Sequence, residues 1–244
     1  SIAHGLAMLI LDRQLHIESL IGFGANPNVG AVLLIGSDIP KVQLIAQRIE
    51  ATGKPVAAVC LDDCDHDVLT LTHRALRAGA DLLLEISRNR RQPAPVSALS
   101  VGLECGRSDP SSGLVANPLI GAVTDRLIGL GATAMFGESL EWLGAEHWLA
   151  ARAASPDVAL AVAEAVARRA RLAAAQGEDL LGNNPGPTNI AAGLSTIEEK
   201  SLGAVAKSGS APIQGLLRMA ERPGKPGLYA MDGSAYSPES VSGF

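Results

Sequence analysis

Ala31-Val32-Leu33-Leu34-Ile35-Gly36 is a continuous apolar run of strand length, which implies a strand buried on both faces of a sheet. Asp38 then stands where a helix cap is needed. Pro40 falls in the first turn, and Val42, Ile45, Ala46 and Ile49 recur at helical spacing before Gly53. Val56-Ala57-Ala58-Val59-Cys60 supplies a second strand. A helix predicted over residues 67–78 places Val68, Leu71, Ala75 and Leu76 on one face, with Gly79 as its stop. Asp81-Leu82-Leu83-Leu84-Glu85-Ile86 reads as a third strand. Strand and helix alternating at this pitch predict a parallel sheet with right-handed crossovers.

Arg88-Asn89-Arg90-Arg91-Gln92-Pro93 concentrates charge before a proline and marks a boundary, giving units 1–92 and 93–244. In the second unit, residues 99–103 and 132–136 read as strands. Residues 114–129 read as a helix, and a long helix opens at Ser155-Pro156-Asp157 and closes at Gly177. From residue 182 to 243 the chain turns rich in Asn, Gly, Pro, Ser and Thr, with a short helical pattern over 197–207, as expected of loops that serve a site. The expected fold is α/β: two Rossmann-like units with parallel sheets and a loop-rich C-terminal segment.

Hydrophobic residues make up 47% of the 244 and aromatics 3%, so the core must be built from Ala, Val, Leu and Ile. A net charge of -5 provides no footprint for nucleic acid or an anionic membrane, and neither is expected as a partner. Cys60, Cys64 and Cys105 form no disulfide framework, which points to a reducing cytoplasm. No apolar run reaches the roughly 18 residues of a spanning helix, and the opening residues lack the basic start of a targeting signal. A chain that starts at Ser1 without Met is expected to be part of a longer polypeptide.

Chemistry-bearing residues gather after the strands of the second unit. Gly102-Leu103-Glu104-Cys105-Gly106-Arg107-Ser108-Asp109 follows one strand, and Gly137-Glu138-Ser139 follows the next, with Gly144-Ala145-Glu146-His147 beyond. Equivalent positions after neighbouring strands direct both loops at one crevice, where ligands of open α/β sheets bind. A third cluster runs from Asn183-Asn184-Pro185-Gly186-Pro187-Thr188-Asn189 to Ser195-Thr196-Ile197-Glu198-Glu199-Lys200. Ser195 and Glu198 have the spacing of a capping box, which leaves Glu199, Lys200 and Lys207 for other work. Cys60 and Cys64 with Asp62, Asp63, Asp65 and His66 have no second ligand pair at zinc spacing and read as a solvated acidic loop. Gly22-Phe23-Gly24 precedes a strand instead of following one, so it is no dinucleotide fingerprint.

Gly102-Leu103-Glu104-Cys105-Gly106, Ser108-Asp109, Ser112-Gly113-Leu114, Ala116-Asn117-Pro118, Gly144-Ala145-Glu146-His147 and Ile197-Glu198-Glu199-Lys200-Ser201-Leu202-Gly203-Ala204 together resemble the altronate and galactarate dehydratase family, which includes the sulfolactate sulfo-lyase large subunit. The resemblance implies elimination of water from a sugar acid or related hydroxy acid to give a 2-keto-3-deoxy acid, assisted by a divalent metal, Fe2+ or Mn2+. Under it, Cys105, Glu104 and Glu146 are candidate metal ligands, and His147, Lys200, Glu199 and Glu138 are candidate catalytic groups. Ser108, Asp109, Asn117, Asn184, Asn189 and Lys207 are candidate substrate contacts. A homo-oligomer or a small companion subunit is expected as partner. The chain departs from the family pattern where Gly36-Ser37-Asp38 replaces Gly-Cys-Glu, Asn26 replaces His, and Arg107 replaces Gly. These losses of a thiol and an imidazole raise a competing reading, a non-catalytic domain that binds small acids. A sulfo-lyase acting on a sulfonated hydroxy acid is a further alternative.

Overall fold

The computed structural model describes residues 10–178, 184–233 and 237–244. The chain divides between Pro93 and Ala94 into two compact units.

The first unit holds α1 (Ile10–Ala25), β1 (Val32–Gly36), α2 (Ile39–Glu50), β2 (Val56–Cys60) and α3 (Val68–Ile86). β1 and β2 pair in parallel, from Val32 opposite Val56 to Gly36 opposite Cys60. Asp38 caps α2 by accepting from the Lys41 N–H, and Ile45 and Ile49 pack against Ile21 of α1. Asp67 caps α3 through the N–H groups of Leu69 and Thr70. The third strand expected at residues 81–86 does not exist, because α3 runs on through Gly79 as one helix of 19 residues. Three consecutive leucines fit either element, and a glycine inside a capped helix costs only about 1 kcal/mol. The sheet of this unit therefore has two strands among the described residues.

The second unit is built on β3 (Ser100–Leu103), β4 (Thr133–Phe136), β5 (Ile213–Arg218) and β6 (Gly227–Asp232), all parallel and ordered β3-β4-β6-β5. Two of these strands come from the segment expected to be loops. Ile213, Leu217 and residues 228–231 are buried in the sheet, but both strands are short and bracketed by Gly, Pro and Ser, which masks them in composition. α4 (Asn117–Gly129), α5 (Glu146–Ala150), α6 (Pro156–Ala175), α7 (Pro187–Ala191), α8 (Ile197–Val205) and α9 (Ser237–Gly243) complete the unit. Phe136, Trp142, Leu149, Val162, Ile213 and Leu228 form its core, with the Phe136 and Trp142 rings 5.3 Å apart.

The cap of α8 is Thr196, one residue beyond the expected Ser195, and no box with Glu198 forms. Thr196 holds the extended cap conformation and accepts from the Glu199 N–H at 3.1 Å, while Glu199 Oε2 accepts from the Ser195 N–H and hydroxyl at 2.8 and 2.6 Å. Ile197, the first helical residue, is buried.

Gly121 of α4 permits a close approach that carries a prediction. A Cβ there would come within 2.3 Å of the Ala206 carbonyl oxygen, and backbone cannot yield as a side chain does. Gly121→Ala is expected to destabilise the second unit by about 1–3 kcal/mol, the range for overpacking. An unchanged urea midpoint would show that α4 can shift to admit the methyl group.

Candidate active site

Because β3 and β4 are parallel neighbours, the loops that follow them leave the same edge of the sheet. Glu104 and Cys105 follow β3, and Gly137 and Glu138 follow β4. The loops are joined where the Cys105 N–H donates to Glu138 Oε2 at 3.1 Å. Glu138 adopts the left-handed conformation, φ 67° and ψ 52°, and the single turn after it carries Glu141 inward. Donor atoms of Cys105, Glu138 and Glu141 all lie within 4.8 Å of one another.

Two lysines close the cluster. Lys207, in the turn that ends α8, is only 2% exposed; its ammonium pairs with Glu138 Oε2 and donates to Cys105 Sγ at 3.0 Å. Lys200 of α8 pairs with Glu141 Oε1 at 2.6 Å and donates to Asn184 Oδ1 at 2.7 Å. The turn bearing Lys207 is clamped from both sides. Arg152 donates to Ser208 Oγ at 2.6 Å and to the Gly209 carbonyl, and Asp125 accepts from the N–H groups of Ser210 and Ala211.

Electrostatics follow from this burial. Burial pushes the Cys105 thiol up to about 11, against the pull of Lys207. For Lys207 burial opposes the charge, but Cys105 and Glu138 outweigh it and hold the ammonium above its ordinary range. Glu104 is pushed up to about 7, chiefly by burial; Lys207 opposes the rise and Glu138 adds to it.

The donor set suits a divalent cation. Both Glu104 oxygens and Glu141 Oε2 are buried with no hydrogen-bond partner among the described residues, after both lysines are counted. Lys200 pairs with Glu141 and Lys207 with Glu138, while the Glu104 carboxylate has no cation paired with it among the described residues. A thiolate with two carboxylates is a mixed soft and hard set that accepts first-row metals.

Beside the cluster lies a cavity of about 320 Å³, within the range of small-molecule sites, with Ser108, Asp109, Asn117, Leu194 and Lys200 in its wall. Lys200 belongs to both, lining the cavity and pairing with Glu141.

Residues 96–244 match the family described as D-galactarate/Altronate dehydratase, C-terminal. The chain belongs to this family. It is similar to the (2R)-sulfolactate sulfo-lyase subunit beta of Chromohalobacter salexigens, at 39% identity over 95% of this chain and 59% of that protein. Galactarate dehydratase (L-threo-forming) of Escherichia coli is 33% identical over 91% of this chain and 43% of its own length. Altronate dehydratase of Bacillus subtilis is 31% identical over 89% and 44%. The chain spans about half the length of these relatives.

Within this member of the dehydratase family the other expected residues have varied surroundings. Glu146 Oε2 is buried with no hydrogen-bond partner among the described residues, yet Glu146 is not one of the three mutually close donors. His147 is exposed on α5, its ring 5.8 Å from that of Trp148. Glu199 is occupied by its cap, Asp109 accepts from Ser111 and the Ser112 N–H in its own turn, and Asn117 donates to the Gly203 carbonyl at 2.9 Å. Asn189 donates to the Ser108 carbonyl at 2.7 Å and so ties α7 to the cavity wall. Asn183 lies outside the described residues. Glu141 was missed in sequence, although its place three residues after Glu138 behind a strand is a readable signal.

Proposed function

We propose that this chain carries the acid-binding and eliminating centre of a lyase that acts on a small 2-hydroxy acid, with dehydration of a sugar acid as the leading reaction. The convergence of Cys105, Glu138 and Glu141 with Lys200 and Lys207 at the carboxyl edge of a parallel sheet, in a chain of this family, is the observation that supports the reading.

In such a reaction the C2 proton passes to a protein base, the C2–H electron pair forms a C2–C3 double bond, and the C3 substituent departs with its own pair. A departing hydroxide is protonated to water, and the enol left behind ketonises to a 2-keto-3-deoxy acid. Cys105, Glu138 and Glu141 would hold a divalent cation, Fe2+ or Mn2+, and its chemistry is to withdraw charge from the substrate carboxylate as the proton leaves. Lys200, in the cavity wall, supplies a positive charge for that carboxylate, with Ser108 and Asn117 beside it. Both Glu104 oxygens lack a hydrogen-bond partner among the described residues, and Glu104 is the proton acceptor in this scheme. Lys207 keeps a fixed charge against Glu138 and offsets the negative charge that develops.

A sulfo-lyase reading is the second one. It is favoured by the 39% identity to the sulfolactate enzyme's subunit, and it needs the same proton transfer with sulfite in place of hydroxide. That relative is named as a subunit, which supports a companion chain here. No helix among the described residues is long and apolar enough to cross a membrane, and a cytoplasmic site of action fits three cysteines whose spacing gives no disulfide framework.

The test supplies Fe2+ or Mn2+ without oxygen and follows acid binding by calorimetry, 2-keto acid by carbonyl derivatisation, and sulfite by thiol reagent. A 2-keto acid from an aldonic or aldaric acid is expected. Sulfite with pyruvate from 3-sulfolactate would select the second reading. Binding without product would leave the chain an acid-binding domain, and neither binding nor product would overturn the proposal.

A further inference from the structure

The proposed chemistry leaves Asp232 without a role, although it ends β6, the strand beside β4. Its Oδ1 accepts from the hydroxyl of Ser139, the residue after Glu138, at 2.6 Å. Ser139 is fully buried. From α6, Arg169 reaches the same place: its Nε lies 3.2 Å from Ser139 Oγ and 3.3 Å from Asp232 Oδ1, and Nη2 donates to the Gly233 carbonyl at 3.1 Å. Arg168 pairs with the other oxygen of Asp232 and makes no hydrogen bond to Ser139 among the described residues. The Trp142 indole donates to the Gly137 carbonyl at 3.1 Å, so the turn over residues 137–142 is pinned at both ends.

Between those pins stands Glu138, a non-glycine residue at φ 67°. Such a conformation is disfavoured for an L-residue and persists only where the surroundings over-determine it. Lys207 and the Cys105 N–H hold the far end of its side chain, but neither fixes its backbone. We propose that Arg169, acting through Asp232 and Ser139, is the positioning residue that keeps Glu138 in its left-handed conformation facing Cys105 and Lys207. The geometry stands on its own, and only the effect on turnover rests on the lyase reading.

Amide hydrogen exchange over residues 137–142 tests this in the full chain. Arg169→Ala is expected to speed exchange in that segment by about tenfold or more, with the rest of the second unit little changed. Arg169→Lys should do the same, because one ammonium cannot span Ser139, Asp232 and Gly233 as a guanidinium fork does. Arg168→Ala, which removes the ion pair to the other oxygen of Asp232, should leave the segment protected. If Arg169→Ala fails to fold, Ser139→Ala cuts the same link while leaving the arginines on Asp232. Unchanged exchange over 137–142 in these variants, or opening spread evenly through the unit, would overturn the proposal. In the lyase assay Arg169→Ala should lower kcat with KM nearly unchanged. A wild-type chain without lyase activity sinks the lyase reading and leaves the exchange result to decide the role of Arg169.

Discussion

Lys207→Met is expected to destabilise the second unit by about 3–5 kcal/mol, the cost of breaking a buried ion pair from one side. Lys207 and Glu138 are each 2% exposed, so neither charge is shielded by bulk water. Methionine fills much the same length but leaves the Glu138 carboxylate buried, with the Cys105 N–H as its remaining donor among the described residues. Isolated burial of that kind costs far more than a lost surface contact. The companion variant, Lys207→Met with Glu138→Met, removes both charges and is expected to recover much of the loss, because an apolar pair of similar volume needs no counter-charge. Both tryptophans, Trp142 and Trp148, lie in the second unit, so denaturant unfolding followed by their fluorescence reads this unit alone. Equal midpoints for wild type and Lys207→Met would mean that Glu138 is protonated or hydrated in the folded chain, and the cluster would lose its electrostatic basis.

What could be read from the sequence, and what could not, divides along a physical line. β1, α2 and β2 were legible because cap, proline and apolar spacing agree at every step from Val32 to Cys60. The stretch 81–86 misleads because its leucines satisfy either period, and a helix that leaves Leu83 and Leu84 exposed gives no burial signal to choose by. β5 and β6 were hidden by their flanks, yet β6 lies between β4 and β5 and brings Asp232 to the site edge. Cys105 and Glu138 stood out as polar residues after strands. Their partnership with Lys207 spans 102 positions from Cys105 and 69 from Glu138, and only the fold of the chain can bring them together. Glu199 shows the reverse: a carboxylate in a family motif whose local geometry is that of a helix cap.

Glu104→Gln should separate stability from turnover more sharply than any other change in the cluster. The Glu104 carboxylate is buried with both oxygens free of hydrogen bonds among the described residues, and the charge of Glu138 lies near it. A charge kept in that setting weakens the fold, and a neutral amide of the same shape relieves the repulsion. Stability of Glu104→Gln is therefore expected to equal or exceed that of wild type. Proteins keep such unfavourable groups where function requires them, and relieving the strain removes the function. An amide cannot take the C2 proton, so the rate of the chemical step is expected to fall by about 100-fold or more, with acid binding largely kept. His147→Ala supplies the contrast, since its ring lies exposed beside Trp148 and its loss should leave both turnover and unfolding nearly unchanged. Pre-steady-state keto acid formation and thermal unfolding, measured on the same preparations, decide between the two residues. A large rate loss in His147→Ala with none in Glu104→Gln would move the proton acceptor to the exposed face of α5 and leave the buried carboxylate to charge balance alone.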